Sequence, residues 1–268
     1  MSAFDTATAL QPTGPNSFTA DVGPAWHVRR GANGGIVAAV LLRAMLATVD
    51  DAERVPRSLT VHYAGPFDEG PTSVDTAVVR AGRSLSTLRA EASRDGKPIA
   101  LALGAFSGTR PTVEYDDIAM PDVPGWDDIE PLVRAEGFGV PAIAQQFEFR
   151  QASGDEPFSG GTRAEAAAWV RFRDPAPLSY PAVAALTDSF VPVLLITQTI
   201  PVACPTVDLT IHFRSTLDAD AADDTGPWLC VFRTRLAKEG YMEEDGEIWS
   251  RDGALLAQSR QLALAMPL

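Results

Sequence analysis

The sequence is poor in the residues that metal, thiol or phosphate-loop chemistry needs. It has only two cysteines, Cys204 and Cys230, with no C-x-x-C pairing and no histidine at metal-ligand spacing. No metal site is expected from them, and two reduced, buried thiols are. The chain lacks a G-x-S-x-G elbow and a G-x-x-x-x-G-K-[ST] loop, which excludes an α/β-hydrolase nucleophile and a P-loop nucleotide site. Basic residues are scarce, 22 Lys+Arg against 35 Asp+Glu, and the formal charge is −13. A field of that sign repels a phosphate backbone or an anionic membrane, so neither nucleic acid nor membrane is an expected partner. Arg29, Arg30 and Arg43 suffice only for the phosphates of a small ligand. The most apolar run, Ile36 to Val49, contains Arg43 and is too short to span a bilayer. The opening MSAFDTATALQPTG has neither a basic nor an apolar region of a secretory signal, so a cytoplasmic protein is expected.

What is present is a globular composition, 46% hydrophobic over 268 residues, and it is written twice. Leu59-Thr60-Val61-His62-Tyr63 returns 150 residues later as Leu209-Thr210-Ile211-His212-Phe213, and Ser93-Arg94-Asp95-Gly96 returns as Ser250-Arg251-Asp252-Gly253. The first copy begins with an apolar helix over 35–49 that is too hydrophobic to lie on a surface. Strand-like runs follow at 58–63, 72–80, 86–93 and 99–106, with Asp95-Gly96 in a hairpin turn. The second copy reads as strands at 146–150 and 167–173, a helix over 179–197 kinked by Pro192, then strands at 206–214, 228–237, 247–251 and 255–265. Between them lies a connector rich in Pro, Gly and acids. This predicts an α+β protein with an N-terminal unit at 1–110, a connector at 111–142 and a C-terminal unit at 143–268. Each unit has a central helix wrapped by an antiparallel sheet, and edge-to-edge alignment of the sheets would hide their unpaired strands.

Other constellations carry little. His62 and His212 are duplicated strand residues and read as structural. The acidic pairs Asp116-Asp117, Asp127-Asp128 and Asp223-Asp224 lie in polar connectors and read as solvated charge. Gly137 to Ala142 fits a dinucleotide-binding pattern in form only, because no strand-like run precedes it and Pro141 falls inside its turn.

Three segments resemble the acyl-CoA thioesterase II family. They are Trp26 to Met45 (WHVRRGANGGIVAAVLLRAM), Leu186-Thr187-Asp188-Ser189-Phe190 with Pro192, and Thr206-Val207-Asp208 leading to Ile211-His212-Phe213. The resemblance covers nearly the whole chain and implies a double hotdog fold. It also implies hydrolysis of acyl-CoA to free acid and CoA, with no cofactor, by an Asp, a Thr or Ser, and a Gln that hold a water against the thioester carbonyl. These match Asp188, Thr206 and Gln261, the last set by its distance from the hairpin glycine Gly253. Gln258 is the alternative, and a spacing of three puts the two glutamines on opposite faces of a strand. Asp188 would accept the proton from water, while Thr206 and Gln261 would position it. Asn33, Gly34 and Gly35 could offer backbone N–H groups to an oxyanion, or merely form a turn that starts the helix. Arg43 is a candidate substrate-binding residue. Leu209 stands where the family often has a histidine. A homodimer is expected from exposed sheet edges. The competing functional reading is a catalytically silent hotdog protein that binds an acyl thioester or acts as a scaffold. A hotdog hydratase would need an Asp/His pair on one helix and its loop, which is absent near Asp188.

Overall fold

A computed structural model describes residues 1–110, 113–132, 140–217 and 223–268. Residues 137–139 of the Gly137 to Ala142 run therefore lie outside the described residues. The strands of the first half are β1 (Leu10–Gly14), β2 (Ser17–Ala20), β3 (Val55–Tyr63), β4 (Thr72–Ala81), β5 (Ser86–Arg94) and β6 (Lys97–Ser107). Those of the second are β7 (Phe147–Ser153), β8 (Glu165–Phe172), β10 (Thr206–Phe213), β11 (Trp228–Arg233), β13 (Tyr241–Trp249) and β14 (Leu255–Leu264). They form one antiparallel sheet in the order β1-β2-β4-β5-β6-β3-β10-β14-β13-β11-β8-β7. The short β12 (Ala237–Lys238) pairs with β13, and β9 (Val202–Ala203) pairs with β15 (Met266–Pro267).

The strand order is the same read inward from either end, so the duplication in sequence becomes a two-fold symmetry in space. Its axis passes between β3 and β10, where Thr60 faces Thr210 and their hydroxyls lie 3.0 Å apart. A register irregularity recurs in each copy, between Pro56 and Ser58 on β3 and between Thr206 and Asp208 on β10. Joining the halves through β3 and β10 leaves no unpaired strand at the middle of the sheet. This continuous α+β arrangement is the double hotdog.

Helix α2 (Gly34–Val49) is the buried axis of the first half. Its Ala- and Leu-rich sequence favours helix, the Asn33 side chain caps its N-terminus by accepting from the Ile36 N–H, and Asp50 closes it in the left-handed region at φ 45°. The counterpart α3 (Tyr180–Leu186) is far shorter than the predicted 179–197. After it, Thr187 and Ser189 turn their hydroxyls back onto the carbonyls of Ala184 and Leu186, and the chain resumes beyond Pro192 as a 3-10 turn over Val193–Thr197. That early stop leaves Asp188 just past the helix end. A brief helix α1 (Ala3–Ala7) inserts Phe4 among Trp26 and Phe172.

The connector is not a free linker. Trp126 buries itself on the outer face of the second half with Trp169, Leu229, Val231 and Trp249, and the Arg150 guanidinium lies 4.0 Å from its ring centroid.

Candidate active site

Helices α2 and α3 cross where α2 begins and α3 ends. A side-chain carbon on Gly35 would sit 2.7 Å from the Ala185 carbonyl oxygen, and one on Gly34 would sit 2.9 Å from Asp188 Oδ2. The glycine pair therefore sets how closely the helices approach. Asp188 Oδ2 accepts from the Gly35 N–H at 3.0 Å and from Asn33 Nδ2 at 2.8 Å, and the same Asn33 amide donates to the Asp188 carbonyl at 2.9 Å. Among the described residues no hydrogen bond is made to Oδ1. Tyr63, at the end of β3, donates its hydroxyl to the Gly34 carbonyl at 2.8 Å.

Burial pushes the Asp188 carboxyl up to about 6, against the hydrogen bonds from Gly35 and Asn33 that favour its charged form. The loop expected to offer backbone N–H groups to an oxyanion thus gives the Gly35 N–H to Asp188 instead. Its free oxygen and a pKa near neutrality suit a proton acceptor. Tyr63 is held well above its usual pKa by burial and by the charges of Asp188 and Asp208, so it stays a neutral donor.

A second group lies on the sheet. The Thr206 hydroxyl donates to Gln261 Oε1 at 2.9 Å, Gln261 Nε2 donates to Glu244 Oε1 at 2.8 Å, and Glu244 Oε2 accepts from the Val193 N–H at 2.7 Å. Gln261 and Glu244 are 5% and 4% exposed and stand opposite one another on β14 and β13. Thr206 reaches the inner face because of the irregularity at Val207. Thr206 pairs with Ala263 and Asp208 with Leu262, so one extra residue reverses the alternation that would otherwise turn Thr206 outward. The floor between is apolar, since Leu209 lies opposite Gln261 and is buried. Gln258 points to the other side and accepts from Arg214 Nε at 2.8 Å.

Burial is also the main cause that raises Glu244, to about 8, with the Asp188 and Glu243 charges adding to it. The sequence reading misses Glu244 because its strand covers only 247–251, whereas β13 begins at Tyr241. Its signal was alternation, Met242, Glu244, Gly246 and Ile248 all facing inward.

Arg43, the candidate substrate-binding residue, lies away from these groups. Its guanidinium pairs with Asp5 at 2.7 Å and lies over the Phe4 ring, about 15 Å down the helix from Asn33 by helical rise. This cation on an apolar helix docks α1. Arg29 and Arg30 line a surface cleft of about 400 Å³ together with Asp68 and Glu69. Among the described residues no cluster of His, Cys, Asp and Glu could hold a metal ion, and no helix is long and apolar enough to cross a membrane.

Only one half carries the polar group. The two-fold symmetry maps Thr206, Gln261, Glu244 and Ala263 onto Pro56, Gly104, Leu88 and Phe106. Met45 and Phe106 fill that second position: a side-chain carbon on Gly104 would lie 2.7 Å from Met45 Sδ and 2.8 Å from Phe106 Cε2.

Residues 22–107 match a model of the acyl-CoA thioesterase N-terminal domain, and residues 116–265 match one of the C-terminal domain. The chain belongs to the acyl-CoA thioesterase family. A hot dog fold protein of unknown function from Alicyclobacillus acidocaldarius is 32% identical, with TM-score 0.89, over 100% of this chain and 99% of its own. An acyl-CoA thioesterase II, TesB2, from Mycobacterium marinum shares the fold at 22% identity and TM-score 0.78, over 99% of each chain. The tesB protein of Mycobacterium avium subs paratuberculosis does so at 19% and 0.80, over 98% of each. No curated protein matches the chain.

Proposed function

We propose that this thioesterase hydrolyses acyl-CoA at the helix crossing, with Asp188 as general base and Thr206 and Gln261 positioning the water. The observation that carries the reading is the half-used carboxylate of Asp188. Oδ2 is fixed by Gly35 and Asn33, and Oδ1 is left to take a proton.

The proton inventory fits. Thr206 gives its hydroxyl proton to Gln261 and keeps lone pairs that accept from water. Gln261 uses one amide proton on Glu244 and keeps the other for the water or for the developing oxyanion. Water oxygen attacks the thioester carbon as Asp188 takes a proton. The tetrahedral intermediate then collapses, the C–S bond breaks, and the CoA thiolate recovers the proton from Asp188. General-base assistance of this kind supplies about 10² to 10⁴-fold.

The test is thiol release, read with a chromogenic disulfide, from a panel of short to long acyl-CoA esters beside the Asp188→Asn protein. Release that the variant loses, with KM little changed, supports the reading. Unchanged turnover in the variant removes Asp188 from the mechanism. No release from any ester by the folded protein moves the reading to a silent acyl-thioester binder.

A further inference from the structure

Glu244 stands where the other half of the molecule has leucine. Its carboxylate is 4% exposed, is reached from two sides by N–H donors, and touches neither Thr206 nor Asp188 by hydrogen bond. Gln261 stands between Glu244 and Thr206, so Glu244 acts on the site through Gln261. A buried carboxylate costs stability, and Leu88 shows that hydrocarbon fits the equivalent position on β5.

We infer that Glu244 is a positioning residue that fixes which way the Gln261 amide faces the reacting water. An amide can be turned end for end with almost no change of shape, and the two orientations exchange a donor for an acceptor. Thr206 cannot choose between them, because a hydroxyl donates or accepts equally well. Glu244 does so when ionised, because a carboxylate has no proton to give: with Oε2 held by the Val193 N–H, Oε1 accepts, so Nε2 of Gln261 turns towards it and Oε1 of Gln261 towards Thr206. The second Nε2 proton then has a defined direction. The Val193 bond ties this arrangement to the 3-10 turn that follows Pro192, five residues beyond Asp188, so both site groups hang from one segment of chain.

This inference rests on the hydrolase reading, and its test has one arm that does not. Glu244→Gln keeps the shape but can offer an NH₂ to Gln261, which draws Gln261 Oε1 round and reverses its amide. Glu244→Leu copies the other half and removes the anchor. With the acyl-CoA ester that wild type turns over, Glu244→Gln is expected to lower kcat at least tenfold with KM within about twofold. In a Gln261→Ala background the same substitution should change kcat by less than twofold, because its route to the water is gone. Thermal unfolding guards against a folding defect: Glu244→Gln should keep the wild-type Tm within a few degrees, whereas Glu244→Leu leaves the Val193 N–H and Gln261 Nε2 without their acceptor and should be less stable. Independently of activity, the side-chain NH₂ signals of Gln261 in an amide correlation spectrum should exchange slowly with water in wild type, shift in Glu244→Gln and lose protection in Glu244→Leu. Wild-type kcat in Glu244→Gln, an equal loss in both backgrounds, or unchanged Gln261 NH₂ signals each overturn the inference. An inactive wild type with the expected NH₂ behaviour defeats only the hydrolase reading.

Discussion

Asp188→Asn should make the protein more stable at alkaline pH while removing its turnover. In the folded state the carboxyl is pushed up from 3.8 to about 6, chiefly by burial. As pH rises, the unfolded chain therefore releases this proton first. Well below pH 3.8 both states hold it and there is no penalty, and at pH 4 only a small part of the penalty has appeared. Above about pH 6 the folded protein bears the full cost of a buried charge, which for a shift near two pH units is about 3 kcal/mol. Asparagine keeps the shape of the neutral acid. Its carbonyl can still accept from Gly35 and Asn33, with the amide placed where Oδ1 was. Removing the charge also relieves its repulsion of Glu244. For a chain of this size, 3 kcal/mol corresponds to about 5 °C in Tm. The assay is urea and thermal unfolding of both proteins at pH 4 and pH 8, with turnover alongside. The expected result is nearly equal stability at pH 4 and a variant more stable by several degrees at pH 8. A variant that is less stable at pH 8, or equally displaced at both, would refute the view that the site holds a destabilising charge for function.

Two further outcomes follow from the geometry. Gly35→Ala places a carbon 2.7 Å from the Ala185 oxygen and 3.0 Å from Asp188 Cβ, so α3 must move. It should cost about 1 to 3 kcal/mol of stability by overpacking and lower kcat by displacing Asp188, although it removes no reacting group; chemical denaturation and steady-state kinetics check both. Arg43→Met should leave kcat and KM within about twofold while costing about 1 kcal/mol or less of stability through the lost Asp5 pair, and a large KM increase would return Arg43 to the site.

Much of the architecture was legible in the residues. Two copies of Leu-Thr-x-His and of Ser-Arg-Asp-Gly, each behind an apolar helix, define two equivalent units, and period-two alternation places Leu209, Ile211 and Phe213 inward. The same alternation puts Gln258 and Gln261, the two glutamines that the family resemblance offers, on opposite faces. What it could not yield are the exceptions to it. Thr206 faces inward only because Val207 is the extra residue in the ladder, and a bulge is a property of two paired strands. The helix after Ser179 ends early through Thr187 and Ser189 back-bonding, which polar side chains do in some contexts and not in others.

The duplicated pattern by itself determined the two helix-and-sheet units, since hydrophobic periodicity within each segment is enough to say which face is buried. Only the tertiary structure decided which half carries the polar group. Asn33 and Asp188 lie 155 positions apart and meet because β3 and β10 join the units and bring α2 against α3. Glu244, Gln261 and Thr206 come from three strands, and their counterparts Leu88, Gly104 and Pro56 pack as hydrocarbon in the other half. A chain carries its periodicities locally, but the field, the donors and the close contacts that make a carboxylate reactive come from neighbours distant in sequence.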